Sequence, residues 1–503
     1  MSGNRNERGN TYVDWSRHFL GTARLALGLP FLRKLLLAYG ERKLRRIMVD
    51  DNPEVRSRAA KEESYYMVRA VLRSVARALD ADVISDRVKE KILRVFILDV
   101  LLGDAPRRRA YIERYGYAPP TFVTVSPYKG CNLRCKGCYA ASEGKHDNTL
   151  PYSTVRRILD QAMELWGARF FVISGGEPLL YRSEGKGVLD LFEAYPECYF
   201  LMYTNGTLID DEAAARLEAA GNATPALSFE GYEAETDARR GKGVYRRILS
   251  AVERLQRAGV PYGFSGTVTR ENAPLFLEDR LVETYFHELK GVYMWLFHYM
   301  PIGRDVLVDL QPTPEQRKAL FLKQREWIRR GYFLVDFWNA GIVTDGCICA
   351  GRPGGYFYID WDGNATPCVF IPYAAGNVKE VFARGGNLND LLQAGFMKEL
   401  RAWQRNYSYL RPSVPEIGNQ ITCCPTRDHY RTFREILERN GARPTDENAR
   451  RALEDPGYGA RMEAYDRAIK EITDPVWEEE YLREDGAERK KRGWLPFLRR
   501  AAV

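Results

Sequence analysis

The chain has 503 residues, 45% of them hydrophobic and 28% charged, which suits a water-soluble globular protein with room for two or three domains. Its net charge of +8 belongs to the ends: residues 1–50 carry +6 and residues 489–503 another +6, leaving −4 for everything between. That distribution argues against a nucleic-acid-binding face, and no run of about eighteen apolar residues exists to span a bilayer.

No N-terminal stretch joins a basic start, an apolar run and a small-residue cleavage site. The expected compartment is therefore the reducing cytosol, where clustered cysteines read as metal ligands before disulfides. Both ends nevertheless mix bulky apolar and basic residues. "LPFLRKLLLAYGERKLRRIM" (29–48) and "GWLPFLRR" (493–500) share LPFLR, with Phe31, Trp494 and Phe497 among their apolar residues. Such segments either lie flat in a lipid headgroup region, giving peripheral contact with the inner face of the membrane, or pack on their own domain with solvated charges.

Residues 15 to about 117 show apolar residues at three- and four-residue spacing and read as helical, ending at Pro119-Pro120. From 121 onward short apolar runs alternate with helical patterns six times, beginning with "TFVTVSP" and ending with "VYMWLFHYM" and "TPEQRKALFLKQREWIRRG". This predicts an α/β fold, a partial (β/α)6 barrel open on one side, with reactive groups at the C-terminal ends of its strands. After 332, "GGYFYIDWDGNATPCVF" predicts a hairpin turning at Asp362-Gly363. "LNDLLQAGFMKELRAWQRN" reads as one helix capped near Asn387 or Asn389, and 440–490 as charged helix. The expected units are a helical region 1–117, read as membrane-interfacial, a barrel 118–331, a small α+β domain 332–440 and a charged helical tail 441–503 with a basic amphipathic end.

"KGCNLRCKGCYA" (129–140) crowds Cys131, Cys135 and Cys138 onto the loop after the first predicted strand. Soft thiolates in that spacing suit an iron–sulfur cluster, with three irons held and one left open, or zinc with a distant fourth ligand. Lys129 and the amides of a loop containing Gly130 and Gly137 are the expected offset to the thiolate charge. Cys198 reads as a small buried hydrophobe.

The C-x3-C-x2-C loop after a first barrel strand resembles the radical S-adenosylmethionine (radical SAM) superfamily. Further stations follow in order: "SGGEPLL" (174–180), "YTNGTL" (203–208), the unit from Ser228 to Gly259, "GTVTREN" (266–272) and "MPIGR" (300–304). The resemblance covers roughly 118–310. It implies cofactor contacts from Gly175, Gly176, Glu177 and Pro178 to an amino group, from Thr204 and Asn205, and from Ser228 and Arg240 to a carboxylate and ribose. Glycines allow close backbone approach, carboxylate or carbonyl oxygens accept from an ammonium, and an arginine meets a carboxylate bidentately. Arg239 competes with Arg240 for that role. One departure stands out. The family's aromatic residue before the third cysteine, placed against adenine, is here Gly137, with Tyr139 as candidate substitute.

Cys347, Cys349 and Cys368 surround the predicted hairpin, and Cys423-Cys424 stand together in "QITCCPTRDHY". Cys347 or Cys349 with Gly363 and Cys368 resembles the opening of the SPASM and twitch cluster-binding extensions. The resemblance implies a second, auxiliary [4Fe–4S] cluster on four of these five cysteines; zinc is the alternative. It also implies a flavodoxin- or ferredoxin-type electron donor, reductive cleavage of S-adenosylmethionine to a 5′-deoxyadenosyl radical, and hydrogen abstraction from an unactivated C–H bond. Tyr203, His298 and Tyr299 are expected near the substrate space. The basic ends favour a lipid or isoprenoid substrate at a membrane surface. A peptide- or protein-modifying maturase is the alternative, and a non-catalytic zinc or iron–sulfur protein the second.

Overall fold

The computed structural model describes residues 30–92, 94–95, 105–409 and 412–482; the segment 493–500 lies outside them. Six strands form where the apolar runs predict them: β1 (Phe122–Val125), β2 (Phe170–Ile173), β3 (Tyr199–Thr204), β4 (Ala223–Phe229), β5 (Gly263–Val268) and β6 (Met294–His298). Each pairs in parallel with the next. The sheet then continues past both edges. β7 (Leu334–Asp336) pairs in parallel with β6, and β8 (Tyr356–Ile359) in parallel with β1. β9 (Asn364–Thr366) and β10 (Gly376–Asn377) add antiparallel strands, giving the order β10-β9-β8-β1-β2-β3-β4-β5-β6-β7. The protein is thus an open α/β barrel whose sheet crosses residue 331 without a break, and the Asp362-Gly363 turn joins β8 to β9.

Helices pack outside this sheet. α1 spans Pro30–Arg45, α2 Arg58–Asp80, α3 Tyr152–Trp166, α4 Val244–Ala258, α5 Pro314–Arg330 and α6 Pro456–Trp477. The limits of α5 follow from its sequence. Thr313 and Gln316 form a reciprocal capping box around Pro314, and Gly331 ends the helix at φ +98. α2 is tied to α5 through buried Glu63, which receives Arg325 at 2.9 Å and Arg329 at 2.6 Å. Ala60, Phe321 and Trp477 join α2, α5 and α6 in one apolar cluster. The single helix expected over 388–406 is two, Leu388–Leu392 and Gly395–Gln404, broken where Ala394 turns extended (φ −59, ψ 144) before Gly395; Arg401 donates to the freed Leu392 O at 2.6 Å. Asn387 is the cap, accepting from Asn389 N.

Alternate residues of each strand face the barrel interior, as a period of two requires. Phe122 and Thr124, Phe170 and Val172, and Trp295 and Phe297 are such pairs, and all line one cavity of about 390 Å³. Met294, Leu296 and His298 take the opposite parity on β6 and are buried.

Candidate active site

The loop carrying Cys131, Cys135 and Cys138 leaves the C-terminal end of β1 and is fixed from two sides. From β2, Gly176 N donates to Tyr128 O and Glu177 N to Gly130 O, both at 2.9 Å. A Cβ on Gly176 would overlap the carbonyl oxygens of Lys129 and Gly130. The close approach that this glycine permits is therefore, in part, an approach to the cysteine loop itself. From the other side, the segment after β6 braces the same loop. Arg304 N donates to Cys138 O at 2.9 Å, its guanidinium reaches Ser142 O and Glu143, and a Cβ on Gly303 would overlap the carbonyls of Cys138 and Tyr139.

All three cysteines border the cavity, together with Tyr139, Gly175, Gly176, Thr204, Asn205, Ser228, Arg239 and Arg240. Burial pushes the Cys131 thiol up to about 12 and raises Cys135, against which Arg240 and Arg239 pull toward the thiolate. Leu133 N donates to Cys131 Sγ at 3.4 Å. A metal removes the proton from a coordinating thiol outright, so three soft donors beside two guanidinium groups fit a negatively charged iron–sulfur cluster. Among the described residues no three His, Cys, Asp or Glu side chains close around a single ion. Lys129 does not supply the offsetting charge; its ammonium lies over Trp361, 5.9 Å from the ring centre. Arg239 and Arg240 do, both anchored on Glu230 Oε1 at 2.6 and 2.7 Å.

Glu177 and Pro178 stand behind the cavity wall rather than on it. The Glu177 carboxylate is fully buried and already engaged, accepting from Thr204 Oγ1 (2.7 Å), Asn205 N (2.8 Å) and Leu179 N (3.1 Å). It clamps the loop after β2 to the loop after β3, and burial raises its pKa despite those bonds. Tyr139 is on the wall, its hydroxyl 2.9 Å from Ser174 Oγ and its ring edge-on to Phe370.

Tyr203 and Tyr299 line the cavity as expected. His298 borders it, but its parity on β6 directs the imidazole outward, where Nε2 lies 2.7 Å from Asp336 Oδ2 and the ring stacks on Trp338. Tyr299 also meets the cysteine loop, a contact the sequence does not announce. Gly137 sits at φ +63, and a Cβ there would lie 2.6 Å from Tyr299 Cε2. The ring of Tyr299, at the end of β6, therefore fills the space beside Gly137.

The later cysteines gather behind the opposite wall, where Ile348, Val369 and Phe370 face the cavity. The side chains of Cys347 and Cys349 interact, which lowers the Cys347 pKa and raises that of Cys349. Gln404 Nε2 lies 3.2 Å from Cys349 Sγ, and Tyr356 Oη 3.0 Å from Cys368 Sγ. Cys424 packs toward Trp338 and Phe370. Cys423 lies against Gly341, its Sγ 2.5 Å from where a Cβ on that glycine would be, and burial and the neighbouring Cys347 raise its pKa. Cys198 is buried, its Sγ 3.5 Å from Met163 Sδ.

A barrel that presents three thiols and two arginines at the C-terminal ends of its strands defines a cofactor-dependent enzyme class. Residues 125–272 match the family model described as the radical SAM superfamily. The mycofactocin maturase MftC of Mycolicibacterium smegmatis is 31% identical over 314 residues, covering 59% of this chain and 76% of that protein. An AdoMet-dependent heme synthase of Methanosarcina barkeri is 27% identical over 295 residues, covering 52% and 80%. The crystal structure of Streptococcus suis SuiB bound to precursor peptide SuiA aligns over 59% of this chain and 71% of its own, at 16% identity and a TM-score of 0.47. The chain belongs to the radical SAM superfamily. It is an enzyme, and its family's cofactors are a [4Fe–4S] cluster and S-adenosylmethionine. No described helix is long and apolar enough to cross a membrane.

Proposed function

We propose that this enzyme is a maturase that modifies an unactivated C–H position of a peptide or protein side chain. The observation that carries the proposal is a second set of cysteines behind the wall of the cavity that the first three border; the likeness to a maturase at 31% identity supports it. Cys131, Cys135 and Cys138 would hold the first cluster. Gly175, Gly176, Thr204, Asn205, Ser228 and Arg240, with Arg239 and Tyr139, would hold S-adenosylmethionine. An auxiliary cluster would draw on four of Cys347, Cys349, Cys368, Cys423 and Cys424. On this reading the barrel unit runs 118–331 and the cluster-binding extension 332–440, and an external flavodoxin- or ferredoxin-type protein supplies electrons.

When bound, the cluster and S-adenosylmethionine supply reductive carbon–sulfur cleavage and the hydrogen-abstracting radical. The chain's own part is to orient and to exclude water. Ser228 donates to Thr204 O at 3.1 Å, leaving its lone pairs for a ligand, while Glu230 holds both guanidinium groups at the mouth. Anaerobic reconstitution, dithionite and S-adenosylmethionine should yield 5′-deoxyadenosine, and Cys135→Ala should yield none. A synthetic peptide pool should raise that yield, and one member should change mass. Cleavage indifferent to every peptide but raised by lipid would overturn the proposal.

A lipid substrate at a membrane surface is the second reading, favoured by α1. Phe31, Leu35, Leu36 and Tyr39 are each at least half exposed there, and Arg42, Lys43 and Arg45 fill the last turn. Such a face suits an anionic headgroup layer. Co-sedimentation with phosphatidylglycerol vesicles, lost in Phe31→Glu/Tyr39→Glu, would support it; indifference to vesicles would end it.

A further inference from the structure

The interior of a closed (β/α)8 barrel is packed solid with side chains. Here the interior stays open. The cavity runs from Ser174 at the mouth down β2 to Phe170, a span of four residues and roughly 13 Å. Among the described residues its charged side chains are Arg239 and Arg240, both at the mouth and both committed to Glu230 Oε1. Below them the wall is mainly aromatic and aliphatic, with Phe122, Phe170, Val172, Leu201 and Trp295, Phe297 above, and the hydroxyls of Thr124, Tyr203, Ser265, Thr267 and Tyr356 set among them.

We propose that the part of the substrate entering this lumen is an uncharged hydrocarbon or aromatic group. The proposal rests on the reading that this cavity is the substrate site, and it adds what chemistry the site accepts. Apolar walls give up hydration readily and reward an apolar occupant in proportion to the area covered. Flat rings such as Trp295 and Phe297 offer faces and edges to a second ring or a methylene chain. An ionised carboxylate carried into the lumen would find hydroxyl groups but no cation among the described residues below the mouth, and burial of an unpaired charge is strongly unfavourable. A carboxylated macrocycle therefore does not belong there, whereas a neutral aromatic side chain or an isoprenoid chain does.

The test uses the reconstituted full chain saturated with S-adenosylhomocysteine. Equilibrium dialysis would measure three probes: N-acetyl-L-tryptophanamide, farnesol and coproporphyrin III. At least one neutral probe should bind, and coproporphyrin III should neither bind nor displace it. Which neutral probe binds more tightly separates an aromatic side chain from an isoprenoid as the source of the group. Trp295→Ala and Phe297→Ala should each weaken the preferred probe about tenfold with S-adenosylhomocysteine affinity unchanged. The inference is overturned if coproporphyrin III binds and displaces the neutral probes, if neither neutral probe binds, or if both variants bind them as the wild type does. Should a variant fail to take up S-adenosylhomocysteine, the wild-type panel alone decides. A peptide modified at a charged side chain would sink this inference and leave the maturase reading standing. Neutral probes bound without turnover of any peptide would do the reverse.

Discussion

Tyr299 occupies the space that a side chain on Gly137 would need: a Cβ there would lie 2.6 Å from Tyr299 Cε2. The ring is pinned at its far end, donating to Asp305 O at 2.8 Å and accepting from Leu307 N at 3.1 Å. Gly137→Ala should therefore lose about 1–2 kcal/mol from the positive φ alone, before any displacement of the ring. Tyr299→Ala should weaken S-adenosylhomocysteine binding, and Tyr299→Phe should largely keep it. Thermal melts and isothermal titration read both effects. Unchanged affinity in Tyr299→Ala would show that the ring only fills space.

Glu230 is 1% exposed and is the common anchor of two guanidinium groups. Glu230→Gln leaves two buried positive charges without their carboxylate, a change expected to cost about 3 kcal/mol. It should also reduce S-adenosylhomocysteine affinity. Urea unfolding and titration calorimetry check the two consequences separately.

Cys423 and Cys424 are adjacent in sequence but pack against different groups. Cys424 packs against the cluster of Met300, Ile302 and Trp338, while Cys423 lies against Gly341 with Cys347 nearby. Iron analysis after anaerobic reconstitution should find Cys423→Ala unchanged and Cys424→Ala short by about one cubane, roughly four irons. Equal losses in both variants would place Cys423 among the ligands.

His429 should make stability acid-sensitive. Burial, then the ammonium of Lys470, lowers its pKa to about 4 in the fold. Between that value and the unfolded pKa near 6.5 the unfolded chain binds the extra proton and the folded chain does not, so stability rises with pH across this window and falls on acidification. The full effect is about 3 kcal/mol, complete only below about pH 4. Denaturation midpoints between pH 4 and 7 should show the slope in the wild type and a shallower one in His429→Gln.

Local patterns made the strand–helix alternation, the cysteine loop and the hairpin legible, because each is written within a few residues. Relationships across long separations were not. Nothing near Gly137 announces Tyr299, and nothing near β1 announces that β8 pairs with it. Glu177 misled for a related reason. Its place in a glycine-rich station suggested a ligand contact, but the hydroxyl of Thr204 and the amide of Asn205, which claim it, arrive a strand later. For His298 the period of two along β6 already held the answer, since Trp295 and Phe297 cannot face inward together with it.

The parallel pairing of β8 with β1 also bears on biosynthesis. Phe122 waits for Tyr356, so one edge of the first strand stays bare until most of the chain has left the ribosome. Iron delivered before that moment would meet the three thiols on a loop whose strand still lacks one neighbour.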